Sequence, residues 1–227
     1  HFEIITAGDG DVGLDKALEH KPDFIISDVM MPKTDGISLC RKIKENIETS
    51  HIPVILLTAK GSHINQLEGY ESGADDYLTK PFPIDLLILK IKNILDGRLN
   101  FQKQFKLIPN LEPTKIKITT EDNKFLNLAI ESVERHIDNT DFHVNDLVKE
   151  LAMSRTLVFE KFKALIGQSP NDFIQTIRLK RAAQLILESD HKISEIGYMV
   201  GFNNPKYFSK CFSKQFGTAP SKYKNQQ

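Results

Sequence analysis

The sequence predicts an α/β domain with a doubly wound parallel sheet, followed by an all-α domain. Two observations carry this prediction. Apolar runs alternate with helix-period segments up to residue 95, which is typical of parallel strands joined by helices. Beyond residue 121 one helical pattern occurs twice, at a shift of 50 residues, as expected for two copies of one supersecondary unit. We therefore divide the chain into domains at residues 1–95 and 122–227, joined by a linker at residues 96–121.

Size and composition fit two ordinary globular cores. The chain has 227 residues, of which 40% are hydrophobic and 26% are charged, enough for two cores of roughly 100 residues each. No apolar run reaches the roughly 18 residues that span a bilayer, so we expect a cytoplasmic protein without membrane contact. Cys40 and Cys211 lie far apart and lack neighbours at zinc-binding spacing, which argues against a disulfide framework or a structural metal.

The formal net charge of +0 conceals two differently charged regions. Residues 1–95 carry 10 basic and 15 acidic side chains, whereas residues 154–227 carry 12 basic and 5 acidic ones. A local excess of positive charge suits contact with a nucleic-acid backbone, but a merely solvated basic surface has the same composition. Charge leaves both interpretations open, so the motifs must decide between them.

Three polar residues lie at the ends of predicted strands in the first domain. The strand segments are FEIITA, DFIISD, PVILLTA and DYLTK; Asp28 closes the second, Thr58 follows the apolar part of the third, and Lys80 closes the fourth. In open parallel sheets the chemistry lies beyond the carboxyl ends of the strands. We therefore expect Asp28, Thr58 and Lys80 to converge on one crevice.

A carboxylate, a hydroxyl and an ammonium in one crevice suit a phosphoryl-accepting site. The Asp28 carboxylate is the nucleophile and forms an acyl phosphate. Bound Mg²⁺ would neutralise the developing charge, Lys80 would bind one phosphoryl oxygen, and Thr58 would donate a hydrogen bond to another. Taken singly, each residue also has a purely structural interpretation, as a helix cap, a strand-end hydroxyl or a surface charge.

The residues around these positions resemble the receiver domain of two-component response regulators. The similar segments are SDVMMPKTDG around Asp28, LLTAK around Thr58 and GADDYLTKPF around Lys80, with intervals of 30 and 52 residues from the aspartate. The resemblance implies a flavodoxin-like fold in which a sensor histidine kinase phosphorylates Asp28. It also implies that the Met30 carbonyl helps Asp28 to hold Mg²⁺.

The same resemblance implies a conformational switch and one backbone feature. In the family, the residue at Thr58 moves toward the phosphoryl group and the residue at Tyr77 turns inward, which reshapes the face formed by the fourth helix, fifth strand and fifth helix. The Lys80–Pro81 peptide is expected to be cis, because X–Pro is the bond type for which cis is accessible. Tyr77 alone is equally typical of a core residue.

The sequence departs from the receiver pattern at its start. The family's first strand ends in an acidic pair that supplies further Mg²⁺ ligands, whereas this sequence starts at a segment resembling the second strand. We expect the first strand and helix to be absent, as in a trimmed piece of a longer protein or a sheet that another chain completes. Mg²⁺ binding and phosphorylation are then impaired. Asp9 and Asp11 are interpreted as turn residues rather than as metal ligands.

The linker at residues 96–121 mixes Pro, Asn and charged residues without a sustained helical or strand period. Its apolar residues suggest that it docks on one domain rather than remaining free. These residues are Phe101, Phe105, Leu107 and Ile108.

The C-terminal pattern consists of a short helix, a tight turn and a second helix, which is typical of helix-turn-helix units. The second helices begin after Ser154 and Asn204 and end at Gly167 and Gly217. A long helix that opens with Ser169 and Pro170 joins the two units. The predicted core positions of the second helices are Leu157, Phe162, Leu165, Phe208, Phe212 and Phe216.

Residues 125–227 resemble the AraC-type DNA-binding domain. The diagnostic segments are LAMSRTLVFEKFKALIGQSPNDFIQTIRLKRAAQLI and ISEIGYMVGFNNPKYFSKCFSKQFGTAPSKYK. The resemblance implies a two-unit clamp whose second helices enter successive major-groove segments about one helical turn apart. The DNA-contacting residues that it implies are Arg155, Thr156, Phe159, Glu160, Pro205, Lys206, Tyr207, Ser209 and Lys210.

The chemistry of these side chains assigns them different roles at DNA. Those able to reach phosphates or base edges are Arg155, Lys206, Ser209 and Lys210. Those able to contact thymine methyl groups are Thr156, Phe159 and Tyr207. Glu160 is repelled by phosphates, so it either accepts from a cytosine amino group or faces solvent.

We interpret the chain as a phosphorylation-responsive, sequence-specific transcription regulator that is not an enzyme. The expected partners are DNA, a sensor histidine kinase as phosphodonor, and a second copy in a homodimer. One alternative is a phosphorylation-independent receiver that serves as a dimerisation module. Another is the C-terminal end of a hybrid sensor histidine kinase, and a third is a helical domain that binds protein alone.

Overall fold

The computed structural model describes residues 3–59, 71–108 and 119–226. These residues fall into two compact units. The first unit contains residues 3–59, 71–98 and 119–123, and the second contains residues 99–108 and 124–226. Among the helices described, none combines the length and the apolar character that crossing a bilayer requires.

The first unit is a parallel sheet with helices. In the described residues its sheet has three strands in the order β1–β2–β3, with Asp28 opposite Leu57 and Lys80 opposite Ala59. The carboxyl ends of all three strands therefore lie at one edge of the sheet. The elements are α1 (Gly10–His20), β1 (Ile25–Asp28), α2 (Gly36–Glu45), β2 (Val54–Ala59), β3 (Asp76–Lys80) and α3 (Ile84–Leu107).

Strand β2 separates two apolar layers. Val54 and Leu56 belong to a buried cluster with Ile43 of α2, whereas Ile55 packs with Leu87 of α3 in a second cluster. Successive side chains of a strand point to opposite faces. Helices therefore cover both faces of the sheet, and the predicted doubly wound fold class is confirmed.

Residues 3–7 of the predicted strand FEIITA form no strand, so that prediction is wrong. A strand needs a hydrogen-bonded neighbour, and the sheet of the described residues places none beside this segment. The Thr6 carbonyl instead accepts a hydrogen bond from Lys16 Nζ at 2.6 Å. The helix predicted over NQLEGYESG lies mostly outside the described residues.

The first part of the predicted linker is helical, because α3 continues to Leu107. Gly97, a poor helix former, obscured the period in the sequence. Phe101 and Phe105 lie four residues apart on one helix face, and they are 4% and 0% exposed. Their predicted docking is confirmed, whereas Leu107 and Ile108 remain 54% and 41% exposed. The domain boundaries at residues 95 and 121 stay predictions.

The described residues of the second unit form helices. Its elements, besides the end of α3, are α4 (Thr120–Arg135, whose first residues belong to the first unit), α5 (Val144–Glu150), α6 (Arg155–Ile166), α7 (Pro170–Glu188), α8 (Ile193–Met199), α9 (Pro205–Phe216), α10 (Pro220–Tyr223) and a 3₁₀ helix (Lys224–Gln226). Helices α6 and α9 each have 12 residues and start 50 positions apart. The internal repeat is therefore a repeat of structure.

Local capping explains where these helices begin and end. Ser154 accepts a hydrogen bond from the Leu157 amide at 3.2 Å, and Asn204 accepts from two amides of α9. Both helices end at glycines in the left-handed region, Gly167 with φ 63° and Gly217 with φ 74°. Residues that carry a side chain rarely adopt this backbone conformation, which is why glycine suits both positions. The predicted helix starts and stops are confirmed.

Two aromatic cores support the two helix-turn-helix units. The ring of Phe162 on α6 packs at a tilt against Phe173 of α7, with a centroid distance of 4.5 Å, and Phe105 of α3 stacks with Phe173 at 6.1 Å. The second core is built around Phe208 and Phe212 of α9. The predicted core residue Leu157 is only half-buried; its neighbour Val158 is 0% exposed. Phe216 is likewise half-buried at the rim of the second core.

Candidate functional site

The Asp28 carboxylate and the Lys80 ammonium meet at the carboxyl ends of β1 and β3. Lys80 Nζ donates a short hydrogen bond to Asp28 Oδ2. The two side chains are 37% and 43% exposed, so a partner can reach the carboxylate from solvent. The parallel register brings these residues together across 52 positions of sequence. Their predicted convergence is present in the structure.

The segment after Asp28 folds back tightly on the strand end. The Gly36 amide donates to the Val29 carbonyl at 3.0 Å, and Asp35 caps α2 by accepting from the Ser38 amide at 2.7 Å. A Cβ atom at Gly36 would lie 2.1 Å from the Asp28 carbonyl oxygen, closer than any side chain allows. The glycine of SDVMMPKTDG thus permits the close approach that leaves the Asp28 side chain at the edge of the sheet.

Thr58 and Tyr77 lie in the same sheet as Asp28, on β2 and β3. Thr58 is 1% exposed, and its hydroxyl donates to the Thr79 hydroxyl at 3.5 Å. Tyr77 lies on β3, level with Leu56, and its ring packs against the cluster shared with α2. The structure therefore brings Asp28 and Lys80 together across β2, and Thr58 lies on that middle strand with its hydroxyl bonded to Thr79 of β3.

Asp9 and Asp11 are engaged in local structure, but the turn prediction is wrong for Asp11, which lies in the first turn of α1. Asp9 caps α1 by accepting from the Val12 amide and binds Lys33 Nζ at 2.6 Å. Asp11 accepts from the Thr34 hydroxyl at 2.6 Å. The Lys33 hydrogen bond lowers the pKa of Asp9, and the Thr34 hydrogen bond lowers the pKa of Asp11. Both carboxylates hold the loop that follows β1.

The described residues supply too few ligands for a magnesium site. Mg²⁺ takes six oxygen ligands in octahedral geometry and keeps several as water. No group of three His, Cys, Asp or Glu side chains suited to a metal occurs in the described ranges. Asp28 and the Met30 carbonyl are two donors, and one Asp28 oxygen already accepts from Lys80. This donor set does not fit Mg²⁺ without further ligands.

The backbone at the site has one feature that the resemblance implied, a cis peptide bond. The Lys80–Pro81 peptide is cis, which confirms that prediction. The Met30 amide donates to Asp28 Oδ1 at 3.3 Å, so each carboxylate oxygen has a hydrogen-bond donor. The strand ends thus present a carboxylate that is oriented by one amide and one ammonium.

The first candidate DNA-contacting helix, α6, exposes its amino-terminal side chains. Arg155 and Thr156 are exposed, and Phe159 and Glu160 are half-buried. The Arg155 guanidinium lies 5.2 Å from the centre of the Phe159 ring and donates to Asn145 Oδ1 at 2.5 Å. Arg155 is therefore held in one direction by a ring beneath it and an amide beside it.

The second candidate helix, α9, presents a different set of side chains. Lys206, Tyr207 and Lys210 are exposed, with Tyr207 at 53%, whereas Pro205 is half-buried. The hydroxyl of half-buried Ser209 donates to the Pro205 carbonyl at 2.9 Å. This helix offers two cations and an aromatic ring to a ligand, while its Ser209 hydroxyl is engaged within the helix.

Sequence reasoning missed two polar side chains that hold the candidate DNA-contacting residues. Asn145 of α5 binds Arg155, and Gln175 of α7 donates to the Tyr207 hydroxyl at 3.2 Å. Neither lies on a recognition helix, so the pattern of those helices contains no signal for them. For Asn145 the usable signal was the helix-turn-helix geometry, which places the first helix of each unit beside the start of the second.

Comparisons with known proteins match the two halves of the chain separately. Residues 1–92 match the response regulator receiver domain family. Residues 147–226 match a helix-turn-helix domain family. A transcriptional regulator from Chromobacterium violaceum with an AraC-type DNA-binding domain has a solved structure that is 26% identical, covers 45% of this chain and 91% of that chain, and gives a TM-score of 0.43.

Two relatives align over larger parts of the chain. Histidine kinase P4 of Formosa agariphila is 47% identical over 224 residues, which are 99% of this chain but only 16% of that relative. The response regulator ArlR of Staphylococcus aureus is 32% identical over 165 residues, which are 73% of this chain and 68% of that relative. From the matches to known families and to ArlR, and from the strand-end carboxylate and repeated helical units described above, the chain belongs to the response regulator family, with a receiver domain followed by a helix-turn-helix domain.

Proposed function

We propose that the protein is a transcription regulator whose DNA binding responds to phosphorylation of Asp28. The observation that carries this proposal is the contact between Asp28 and Lys80 at the carboxyl ends of parallel strands, in a chain that also exposes two recognition helices. A half-exposed carboxylate beside an ammonium can accept a phosphoryl group and retain it. The two copies of the helix-turn-helix unit then bind DNA.

The phosphoryl transfer takes place between a carboxylate oxygen of Asp28 and a phosphohistidine donor. An Asp28 carboxylate oxygen attacks phosphorus, an oxygen–phosphorus bond forms, and the phosphorus–nitrogen bond breaks with its electron pair going to the imidazole. The product is an acyl phosphate on Asp28. Lys80, already in contact with Oδ2, then binds a phosphoryl oxygen through its ammonium. Mg²⁺, which receiver domains use, neutralises phosphoryl charge when bound, and we propose that the described residues bind it weakly.

The DNA-binding output rests on the exposed side chains of α6 and α9. Arg155 is the best placed to read a base edge, because its guanidinium is exposed, oriented and bidentate by nature. Lys206 and Lys210 are exposed and suit phosphate contacts. The proposed contact set also includes Thr156, Phe159, Glu160, Pro205, Tyr207 and Ser209.

Phosphorylation controls the output by favouring one of two states. Added negative charge at Asp28 draws the buried Thr58 hydroxyl away from Thr79, and the neighbouring Tyr77 ring repacks. The reshaped receiver surface then favours a homodimer that binds DNA more tightly. This coupling requires that the phosphorylated surface discriminates between the two states.

A second candidate concerns the protein that contains this chain. Nearly the whole chain aligns with a relative named histidine kinase P4 while covering 16% of that relative. We propose that the chain can be the C-terminal part of a hybrid sensor kinase, with the kinase activity outside these residues and the output acting in the cytoplasm. Sequencing the codons that flank this region tests the idea, and a reading frame without kinase motifs contradicts it.

The decisive experiment measures DNA affinity with and without phosphorylation of the full-length protein. A duplex selected from a randomised library is titrated before and after treatment with a small phosphodonor and Mg²⁺, and self-association is followed by sedimentation. We expect the Kd to fall by at least about fivefold on phosphorylation. Equal affinity and equal self-association in both states contradict the proposal and favour a receiver that serves only as a dimerisation module.

A further inference from the structure

Arg178 lies at the junction of the two helix-turn-helix units. It belongs to α7, the helix between the units, and its side chain bridges two backbone carbonyls. Nη2 donates to the Asn139 carbonyl at 2.5 Å, and Nη1 donates to the Gly201 carbonyl at 3.3 Å. The two acceptors are 62 residues apart in sequence, so this guanidinium joins distant parts of the DNA-binding domain.

The two carbonyls belong to the turns that position the units. Asn139 lies in the turn between α4 and α5, directly before the first unit. Gly201 lies between α8 and α9, in the turn of the second unit, with φ 77°. A Cβ atom at Gly201 would lie 2.6 Å from the Ile137 carbonyl oxygen and 2.9 Å from Arg178 Cζ. The turn of the second helix-turn-helix unit therefore packs directly against the turn that precedes the first unit.

The charge of Arg178 is balanced by dipoles rather than by an acid. Within the described ranges no carboxylate lies at ion-pair distance from it, and burial lowers its pKa. Its two carbonyl acceptors therefore supply the main compensation for the desolvated cation. A buried donor that loses such acceptors costs more than an exposed one, so separating the turns is unfavourable.

We propose that Arg178 is a positioning residue that fixes the separation of α6 and α9 and thereby the spacing of the two DNA half-sites. A planar guanidinium can span two acceptors in fixed directions, which a flexible ammonium does less well. The long helix α7 supplies the distance between the units, and Arg178 holds the second unit's turn against the first. The inference rests on the proposed function, because it assumes that both recognition helices bind one duplex.

The test compares affinity for duplexes that differ in half-site spacing. The probes are a duplex selected by the wild-type full chain from a randomised library, the same duplex with one base pair inserted between the half-sites, and a duplex with one half-site. We expect Arg178→Met to lose about tenfold in affinity for the selected duplex, because two linked contacts no longer fit together. Affinity for the single half-site stays within about twofold, and the penalty for the inserted base pair shrinks.

A matched control removes the same charge from the same helix. Arg181 is exposed on α7 and donates to Gln184 Oε1 at 2.9 Å, so Arg181→Met removes one positive charge without touching either turn. We expect Arg181→Met to keep the wild-type spacing preference. Should Arg178→Met not fold, Arg178→Lys takes its place, since lysine retains the positive charge but lacks the planar guanidinium that spans two acceptors.

The outcomes separate this inference from the proposed function. A wild-type penalty for the inserted base pair that persists in both Arg178 variants overturns the positioning role and leaves the DNA-binding function intact. Equal loss of affinity for all three duplexes shows a general defect and also overturns it. If the wild-type chain selects no duplex or prefers no spacing, the two-unit clamp itself is wrong.

Discussion

The receiver site and the DNA-binding face are assembled over different distances along the sequence. Asp28 and Lys80 are 52 residues apart and meet because β1 and β3 end at the same edge of one sheet. On the DNA-binding face, Ser154 and Asn204 each cap a recognition helix through amides two or three positions away. The first site depends on the whole α/β unit, whereas the second is specified by a short segment that occurs twice.

This difference predicts different responses to substitution. At the receiver site the proposed nucleophile is one residue, Asp28, whose two carboxylate oxygens accept hydrogen bonds from Lys80 and the Met30 amide. The DNA-binding face instead distributes its contacts over two helices, with exposed cations such as Lys206 on the second. Substitution of Asp28 should therefore abolish phosphorylation, whereas substitution of one residue on the DNA-binding face should only reduce the affinity for DNA.

The largest expected effect is that of Asp28→Asn, which abolishes phosphoryl transfer to the full-length protein. An amide cannot act as the nucleophile, although it nearly preserves the shape of the side chain. The measurement is acid-labile radiolabel after incubation with a small phosphodonor or with the cognate kinase. The affinity of the unphosphorylated protein for DNA should be unchanged, because α6 and α9 do not include this residue.

Asp23→Asn is the matched control for that prediction. Asp23 is exposed and lies just before β1, at the opposite end of the strand that Asp28 closes. We expect wild-type labelling for Asp23→Asn. Labelling of Asp28→Asn at wild-type stoichiometry would assign the phosphoryl group to another residue. It would also remove the contrast between the receiver site and the DNA-binding face.

The next effect concerns Arg155→Ala and Lys206→Ala, one on each recognition helix. We expect Arg155→Ala to weaken binding of the selected duplex by about 1 to 3 kcal/mol and to relax sequence preference, because an oriented guanidinium reads a base edge. Lys206→Ala should weaken binding of all sequences and lower the slope of log K against log salt by about one, as loss of a phosphate contact does. Gel-shift titrations at several salt concentrations distinguish the two.

Lys163→Ala serves as the control, because Lys163 is exposed in the last turn of α6, away from the proposed contact set. Its affinity and salt slope should equal those of the wild type. If Arg155→Ala and Lys206→Ala behave like Lys163→Ala, the DNA-binding face has been assigned to the wrong surface.

The same contrast explains how much of the structure the sequence predicted. The caps at Ser154 and Asn204 and the strand ends at Asp28 and Lys80 were predictable, because each depends on local residue types or on the common edge of parallel strands. The continuation of α3 to Phe105 was not, because burial against Phe173 outweighs the low helix propensity of Gly97. Contacts such as that of Arg178 with Gly201 arise only from tertiary packing, which one sequence does not display.

A smaller effect, on stability rather than binding, is expected at Lys180. This lysine is buried on α7, its Nζ lies 4.3 Å from the centre of the Phe105 ring, and burial lowers its pKa to about 8 from an ordinary value of 10.5. The folded state therefore holds this proton less tightly than the unfolded state does. The free energy of unfolding accordingly gains a contribution as the pH rises from about 8 toward about 10.5, and the destabilisation is fully present below that window.

Lys180→Met should therefore stabilise the DNA-binding domain by about 1.5 kcal/mol near neutral pH, less than the full pKa difference implies because the cation–π contact is also lost. Its advantage over the wild type should shrink at about pH 10. Urea unfolding of both proteins at the two pH values measures this, with Lys163→Met as an exposed control. A wild type that is more stable than Lys180→Met at neutral pH contradicts the prediction.

The smallest effect is expected at Asn145, which touches DNA through Arg155 rather than directly. Asn145→Ala removes the acceptor that orients the Arg155 guanidinium, while the Phe159 ring still supports it. We expect about threefold weaker binding of the selected duplex, the cost of one exposed hydrogen bond. The effect should vanish when Asn145→Ala is made in an Arg155→Ala background, since the pair is then already broken. A threefold loss of DNA affinity that persists in that background would mean that Asn145 contacts DNA itself. The DNA-binding face would then include α5, the first helix of the unit, as well as the recognition helix.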